Sequence, residues 1–302
     1  MKHIYSGKVR DIYELEEFEP PRLLMVASNR VSAFDVIMTE PVKDKGVILT
    51  AMSAFWMGNC SDIVENHLIS SLPNPQTLGE EMSSDLIGRS VVAKRAEMIE
   101  LECIVRGYLA GSAYKEYLQK GTVHGAALPK GLPLAAKLPE PLFCPSIKNH
   151  QGHDENISIS TAKSLFGESL VEQLMTLSLN IYKRGVDLCS EASIILADTK
   201  FEFGRVDGRI VLCDEVMTPD SSRFWDAERY IHGVEPIQFD KQPLRDYLDT
   251  LDWDKVWPPP SLPLEVLVAL QERYSSVYRK IVGVPIEKWL ADACVAYDSR
   301  IA

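Results

Sequence analysis

The chain has 302 residues, 46% of them hydrophobic and 25% charged, and a formal net charge of −11. This is the profile of a soluble globular protein with ample material for a core, and no apolar run approaches the roughly 18–20 residues that span a bilayer. The acidic balance excludes a broad nucleic-acid or membrane surface; an anionic small substrate would instead need lysines and arginines gathered locally.

The first residues, Met1-Lys2-His3-Ile4-Tyr5, contain no signal-peptide h-region. Six scattered cysteines (Cys60, Cys103, Cys144, Cys189, Cys213, Cys294) form no C-x-x-C pair. They are expected to be reduced, mostly buried thiols of a cytoplasmic protein, not a disulfide framework or zinc site. Within Tyr5-Ser6-Gly7-Lys8-Val9-Arg10-Asp11, Gly7 permits a tight turn, and backbone amides there with Lys8 and Arg10 can cover a polyphosphate. The same residues also suit a surface hairpin with two exposed cations, being neither a Walker loop nor G-x-G-x-x-G. Residues 23–28 read as a strand followed by polar positions from Asn29 to Asp35. Thr50 is a candidate cap for a helix over roughly 51–66. Residues 91–95 begin another strand, so the first 95 residues read as an antiparallel sheet with one or two helices.

Residues 98–106 form an apolar strand ending in Arg106. Gly111-Ser112 then opens a helix over 113–120, stopped by Gly121. By composition Ser112 is an N-cap; a helix start with free amides, a hydroxyl and a nearby arginine is also an anion site. Residues 121–150, rich in Pro and Gly, read as an ordered loop whose length points to function. His150 and His153 are three apart but have no third ligand for a metal. Ser160 is read as the cap of a short helix ending at Gly167, and a long amphipathic helix follows over roughly 168–190.

Ser193-Ile194-Ile195-Leu196 is a buried strand continued by Ala197-Asp198-Thr199-Lys200-Phe201-Glu202-Phe203-Gly204. Side chains alternate faces, so Asp198, Lys200 and Glu202 point one way while Thr199, Phe201 and Phe203 point to the core. Charges roughly 7 Å apart let one lysine sit between two carboxylates while all three reach a common ligand. A solvated strand face alternates charge in the same way; the next segment favours a ligand. Val206-Asp207-Gly208 is a turn signal, and a second apolar strand, Ile210-Val211-Leu212-Cys213, delivers Asp214-Glu215. Several carboxylates around a lysine are costly unless a bound ion organises them, so the hairpin reads as a metal–phosphate site. After Pro219-Asp220-Ser221-Ser222, Arg223 is a further anion ligand. The remainder is helical support (243–251, 263–282 and 285–297) around a Pro258-Pro259-Pro260 break.

From Gly7 to Trp225 the chain closely resembles the SAICAR synthase family (phosphoribosylaminoimidazole-succinocarboxamide synthases). Two long segments carry the likeness: Glu102-Cys103-Ile104-Val105-Arg106-Gly107-Tyr108-Leu109-Ala110-Gly111-Ser112 and Leu196 through Gly204. Gly7-Lys8-Val9-Arg10-Asp11, His153-Asp154-Glu155-Asn156-Ile157-Ser158 and Asp214-Glu215-Val216 through Arg223 agree as well. The resemblance implies a two-lobed α+β fold. An N-terminal antiparallel sheet lobe, residues 1–95, would cover ATP; a larger lobe, residues 96–302, would hold the substrate and metal site and the C-terminal helices. It implies a ligase that uses ATP and Mg²⁺ to join L-aspartate to the carboxylate of carboxyaminoimidazole ribonucleotide (CAIR) in purine biosynthesis. Lys8, Val9 and Arg10 would cover the ATP phosphates, Met98 would lie near the adenine, and Glu202 and Asp214 would hold nucleotide and Mg²⁺. Arg106, Ser112 and Arg223 would grip the ribonucleotide 5′-phosphate, with Asp154 and Lys200 on its other polar groups. Lys200, Glu202 and Asp214 are the residues expected to carry catalysis. Glu100 departs from the family, where proline is common. Two other readings are compatible with these residues: a carboxylate–amine ligase that uses another amine, and a nucleotide-binding module without catalysis.

If Glu202 and Asp214 serve one magnesium–nucleotide complex, they must share a strand face. A two-residue turn at Asp207-Gly208 would pair Glu202 with Cys213 and turn Asp214 towards the core. The expectation is therefore a three-residue loop, Val206-Asp207-Gly208, with positive φ at Gly208.

Overall fold

The computed structural model describes residues 1–34, 36–78, 83–148, 155–239 and 241–298. Two antiparallel sheets carry the fold. The first has the strand order Lys2–Ser6, Arg10–Leu15, Arg22–Ala27, Ser90–Lys94, Leu68–Ser70. Alternation splits its faces: Leu24 and Val26 join Leu15, Val92, Leu78 and Tyr297 in a small core, while Leu23 and Met25 line a cleft on the other side.

The second sheet is organised on one long strand, Ile194–Val206. On one side this strand pairs with Leu101–Tyr108 and Glu97–Met98; on the other it is shared between Arg209–Cys213 and Ser222–Asp226. Its ladder with Ser222–Asp226 is irregular between Leu196 and Asp198. A bulge of one residue reverses the alternation, and here it lets Ile194 and Leu196 share the main core with Phe201 and Phe203. The other face then carries Asp198, Lys200 and Glu202. The helix Glu168–Glu191 covers the core face with Val171, Leu174, Ser178, Ile181, Tyr182, Gly185 and Cys189, the spacing of one helical stripe. Gln242–Asp249, Leu264–Val282 and Ile286–Asp298 are helical, and the last two pack on the helix Lys45–Asn59.

Several expectations are corrected. The first helix is Lys45–Asn59, with Thr50 in its interior; the Thr50 hydroxyl is satisfied by the Gly46 carbonyl (2.9 Å), and Asn29 Oδ1 accepts from the Gly46 amide at the start. The helix Gly111–Lys120 begins after Ala110, so Ser112 lies exposed in its first turn and caps nothing. Ser158, not Ser160, caps Ile159–Phe166, accepting from the Thr161 amide at 3.1 Å. The stretch 121–150 is not a plain loop, because Lys137–Ile147 is an eleven-residue strand. Its prolines hid it: Pro139 and Pro141 fall in a register shift, where missing amide donors cost no ladder bond.

The hairpin is closed by a two-residue turn. Asp207 and Gly208 both have positive φ (50° and 77°), Val206 pairs with Arg209, and Glu202 pairs with Cys213. Mirror-image turns of this kind match the right-handed twist of the strands, whereas a three-residue loop would shift the register. The positive φ at Gly208 is as expected; the expected register is overturned.

Two glycines serve different ends. A Cβ on Gly107 would sit 2.1 Å from Tyr182 Oη, which donates to the Leu196 carbonyl at 2.7 Å. A Cβ on Gly208 would meet nothing within 4 Å, so only its dihedral resists substitution. We expect Gly107→Ala to cost about 2–4 kcal/mol from overpacking and a lost hydrogen bond, and Gly208→Ala about 1–2 kcal/mol. Denaturant midpoints check the order, and a smaller loss at Gly107 would contradict this packing.

Candidate active site

The main cleft, about 600 Å³, takes its walls from both sheets. Five cations (Lys8, Arg10, Lys94, Lys148, Lys200) and three carboxylates (Glu202, Asp214, Glu215) line it. In a chain with net charge −11, this is the local cationic surplus that anionic substrates demand.

Its roof is the turn at Gly7, Lys8 and Val9, which is pinned from behind. Ser28 bonds the Val9 carbonyl through both its amide (2.8 Å) and its hydroxyl (2.9 Å). Arg30 donates to the Gly7 carbonyl at 3.1 Å and the Lys8 carbonyl at 3.3 Å, while holding both oxygens of Asp11 at 2.9 and 3.1 Å. Burial would raise the Asp11 carboxyl, but Arg30 holds it below its ordinary range. The next residue, Arg10, reaches across the cleft to Asp214 and, at 3.5 Å, to Glu215.

The floor is the polar face of the long strand. Lys200 Nζ lies 2.7 Å from Glu102 Oε1 and 2.6 Å from Glu202 Oε1, and Lys148 takes the other Glu202 oxygen. Burial would push the Glu202 carboxyl up; Lys200 and Lys148 outweigh it and bring it to about 2. Desolvation works against the Lys200 ammonium, but the two glutamates prevail and raise it. Four residues along the same face, Asp198 pairs with Arg106 at 2.9 Å and with Arg223. The bulge sets this up, since register places Asp198 across from both arginines. Two guanidiniums on one carboxylate leave a net positive charge beside a pocket of about 150 Å³ that Lys241 and Arg245 also line.

Lys8, Val9, Arg10, Met98, Lys200, Glu202 and Asp214 thus line one cleft. Asp214 arrives by a route the strand pattern does not encode. Its strand ends at Cys213, and a left-handed backbone at Asp214 (φ 61°) swings the side chain to the cleft despite the two-residue register. Arg106 and Arg223 meet on Asp198, but Ser112 lines a separate recess of about 430 Å³ with Lys115 and His124. The start of its helix does touch Arg223, whose Nη2 would lie 2.4 Å from a Cβ on Gly111. Asp154, His150 and His153 lie outside the described residues. Sequence reasoning missed Glu102, Lys148, His67, Lys241 and Arg245. Period-two counting back from Arg106 would have found Glu102; the others are brought in by tertiary packing.

Among the described residues no group of three or more His, Cys, Asp or Glu side chains is placed to hold a metal alone. A cationic cleft between two antiparallel sheets, with carboxylates poised among lysines, defines an α+β protein suited to ligands that carry phosphates. Residues 3–260 match the family model for SAICAR synthetase. A phosphoribosylaminoimidazole-succinocarboxamide synthase of Syntrophotalea carbinolica is 48% identical over 286 residues, covering 94% of this chain and 95% of that protein. Its counterpart in Thermodesulfovibrio yellowstonii is 46% identical over 283 residues, covering 92% and 94%. The solved SAICAR synthase of Saccharomyces cerevisiae in complex with SAICAR superposes with a TM-score of 0.84 at 39% identity, covering 94% of this chain and 96% of that one. The chain belongs to the SAICAR synthetase family.

One cleft residue reports on its own burial. His67 joins the two walls through its backbone, its amide donating to the Leu212 carbonyl (3.1 Å) and its carbonyl accepting from the Lys94 amide (2.7 Å). Burial, with Arg10 alongside, pushes its ring down to about 3. Below its ordinary value near 6.5 the unfolded chain takes the proton first, so this contribution is present above about pH 6.5 and lost as pH falls towards 3. By pH 5 the loss is about 2 kcal/mol. We expect His67→Gln to lose about that much less stability than wild type between pH 7 and pH 5, measured by denaturant titration; parallel curves would refute the assignment.

Proposed function

We propose that the chain is an ATP-dependent ligase that joins L-aspartate to the carboxylate of CAIR, giving SAICAR, ADP and phosphate. Family membership supports the reaction, and one observation supports the geometry: a cationic cleft continues along a single sheet face into a second cationic pocket. A carboxylate is a poor electrophile, and phosphorylation by ATP makes it an acyl phosphate that an amine can attack. Such a transfer asks the protein for position and charge neutralisation more than for a covalent partner.

In this reading the sheet within residues 1–95 covers ATP, with Lys8, Val9 and Arg10 at the phosphates and Met98 near the base. Residues 96–302 hold the acceptor substrates, with Arg106 and Arg223 on the 5′-phosphate; the resemblance gives Ser112 a role at the same phosphate and Asp154 a contact with the ribonucleotide's other polar groups. Lys200, on the floor of the main cleft, would stabilise the phosphoryl group as the substrate carboxylate attacks it and ADP leaves with the bonding electrons. Mg²⁺ binds through one or two carboxylates completed by substrate phosphates. Glu202 and Asp214, both hard oxygen donors lining the main cleft, fit that demand. When bound, the ion would neutralise phosphate charge.

The direct test is ADP release in the presence of CAIR, with L-aspartate, L-glutamate and L-alanine offered in turn. We expect turnover with aspartate alone; equal rates with all three would overturn the stated specificity in favour of another carboxylate–amine ligase. Arg106→Ala and Arg223→Ala should each weaken CAIR binding about tenfold to a hundredfold, the worth of one charge-assisted bond of about 1.5–3 kcal/mol. Calorimetric titration with CAIR checks this, and unchanged affinity in both variants would remove them from the phosphate site.

A further inference from the structure

Lys45 opens the first helix, yet its side chain is fully buried and its ammonium lies 2.6 Å from Asp220 Oδ2. The other oxygen of Asp220 accepts from Tyr274 Oη at 2.6 Å and lies 3.1 Å from Lys241 Nζ. Lys45 and Asp220 are 175 positions apart, so only tertiary structure brings the pair together.

Such a pair is weak ground for stability, because desolvation of two ions offsets most of their attraction. Its effect on charge is clearer. Asp220 and Lys241 both line the 150 Å³ pocket with Arg223 and Arg245, and left to themselves they would cancel. Lys45, reaching Asp220 from the interior, makes the trio two cations to one anion. Lys241 is thereby held in place by Asp220 without being neutralised by it. Glu215, the acid before Asp220 in the chain, accepts from Thr218 Oγ1 at 2.7 Å and pairs with Arg10. Burial lowers the Lys45 ammonium's affinity for its proton while Asp220 raises it and Lys241 opposes, so Lys45 feels both partners.

We propose that Lys45 is a positioning residue: by neutralising Asp220 from inside, it leaves Lys241 charged and oriented towards an oxyanion of the acceptor substrates. The oxyanion is either the ribonucleotide phosphate or a carboxylate of aspartate. The identity of the ligand rests on the ligase reading above, which turnover of the wild type decides by itself; the charge arrangement is decided by equilibrium binding.

The test is calorimetric titration of full-length wild type, Lys45→Met, Lys45→Met/Asp220→Asn and Lys241→Met with CAIR, L-aspartate and ATP separately. Lys45→Met should weaken CAIR or aspartate binding about tenfold or more, approaching Lys241→Met, with ATP affinity within about twofold of wild type. Which of the two ligands responds identifies the oxyanion. The double variant removes both buried charges, restores one net positive charge at Lys241, and should recover affinity to within about threefold. An unpaired buried Asp220 also disturbs packing, so the ATP titration separates the two roles: a structural role would weaken all three ligands together. A double variant that binds no better than Lys241→Met, or an equal loss for ATP, overturns the proposal. If Lys45→Met does not fold, the double variant, which buries no unpaired charge, gives the same decision by comparison with wild type and Lys241→Met.

Discussion

Charge buried on one face of a sheet is the constraint on which the rest of this molecule depends. Lys200 stands between Glu102 and Glu202, and Asp198 between Arg106 and Arg223. At such distances an ion pair near a protein surface gains about 4 kcal/mol, set against several kcal/mol of desolvation per ion. The near cancellation means these pairs do little for folding. What they provide is a set of charges fixed in place before any ligand arrives, as transition-state stabilisation requires. The packing around them is correspondingly stiff: Phe201 and Phe203 fill the opposite face, and Tyr182 anchors the strand by its carbonyl.

The two sheets divide the work by their connectivity. The long strand has different neighbours along its length, so its far end meets the hairpin and its near end meets Ser222–Asp226. A single rigid element thus spans both the main cleft and the pocket lined by Arg223 and Lys241. Relative placement of two substrates is what an enzyme joining them must control most closely, and in the proposed reading the rise of one strand would set it.

Much of this was legible in the sequence because a strand's period is simple. Asp198, Lys200 and Glu202 were placed on one face from alternation alone, and the helix 168–190 from its apolar stripe. The failures share a physical cause: they hang on single backbone dihedrals or on distant partners. The bulge at Ala197 reverses parity without any residue that announces it. Asp214 reaches the cleft through one left-handed dihedral, so counting along the strand gave the wrong route to the right place. The strand Lys137–Ile147 was concealed by its prolines, of which Pro139 and Pro141 fall where its register is irregular. Thr50 and Ser112 suit helix caps by type, but the helices start earlier, one beside the Asn29 bond to Gly46 and the other directly after extended Ala110. Lys148 and Lys241 carried no local signal.

The Arg30 clamp bears on when the turn gives up its freedom. The turn at Gly7, Lys8 and Val9 is held by bonds to the protein itself, from Arg30, from Ser28 and from the Gly7 amide to the Arg10 carbonyl. Glycine-containing turns that order only around a phosphate charge the ligand for lost backbone freedom, roughly 1–2 kcal/mol per residue fixed. Here that entropy is surrendered during folding, so a ligand bound at this turn need not supply three residues' worth of ordering from its binding energy.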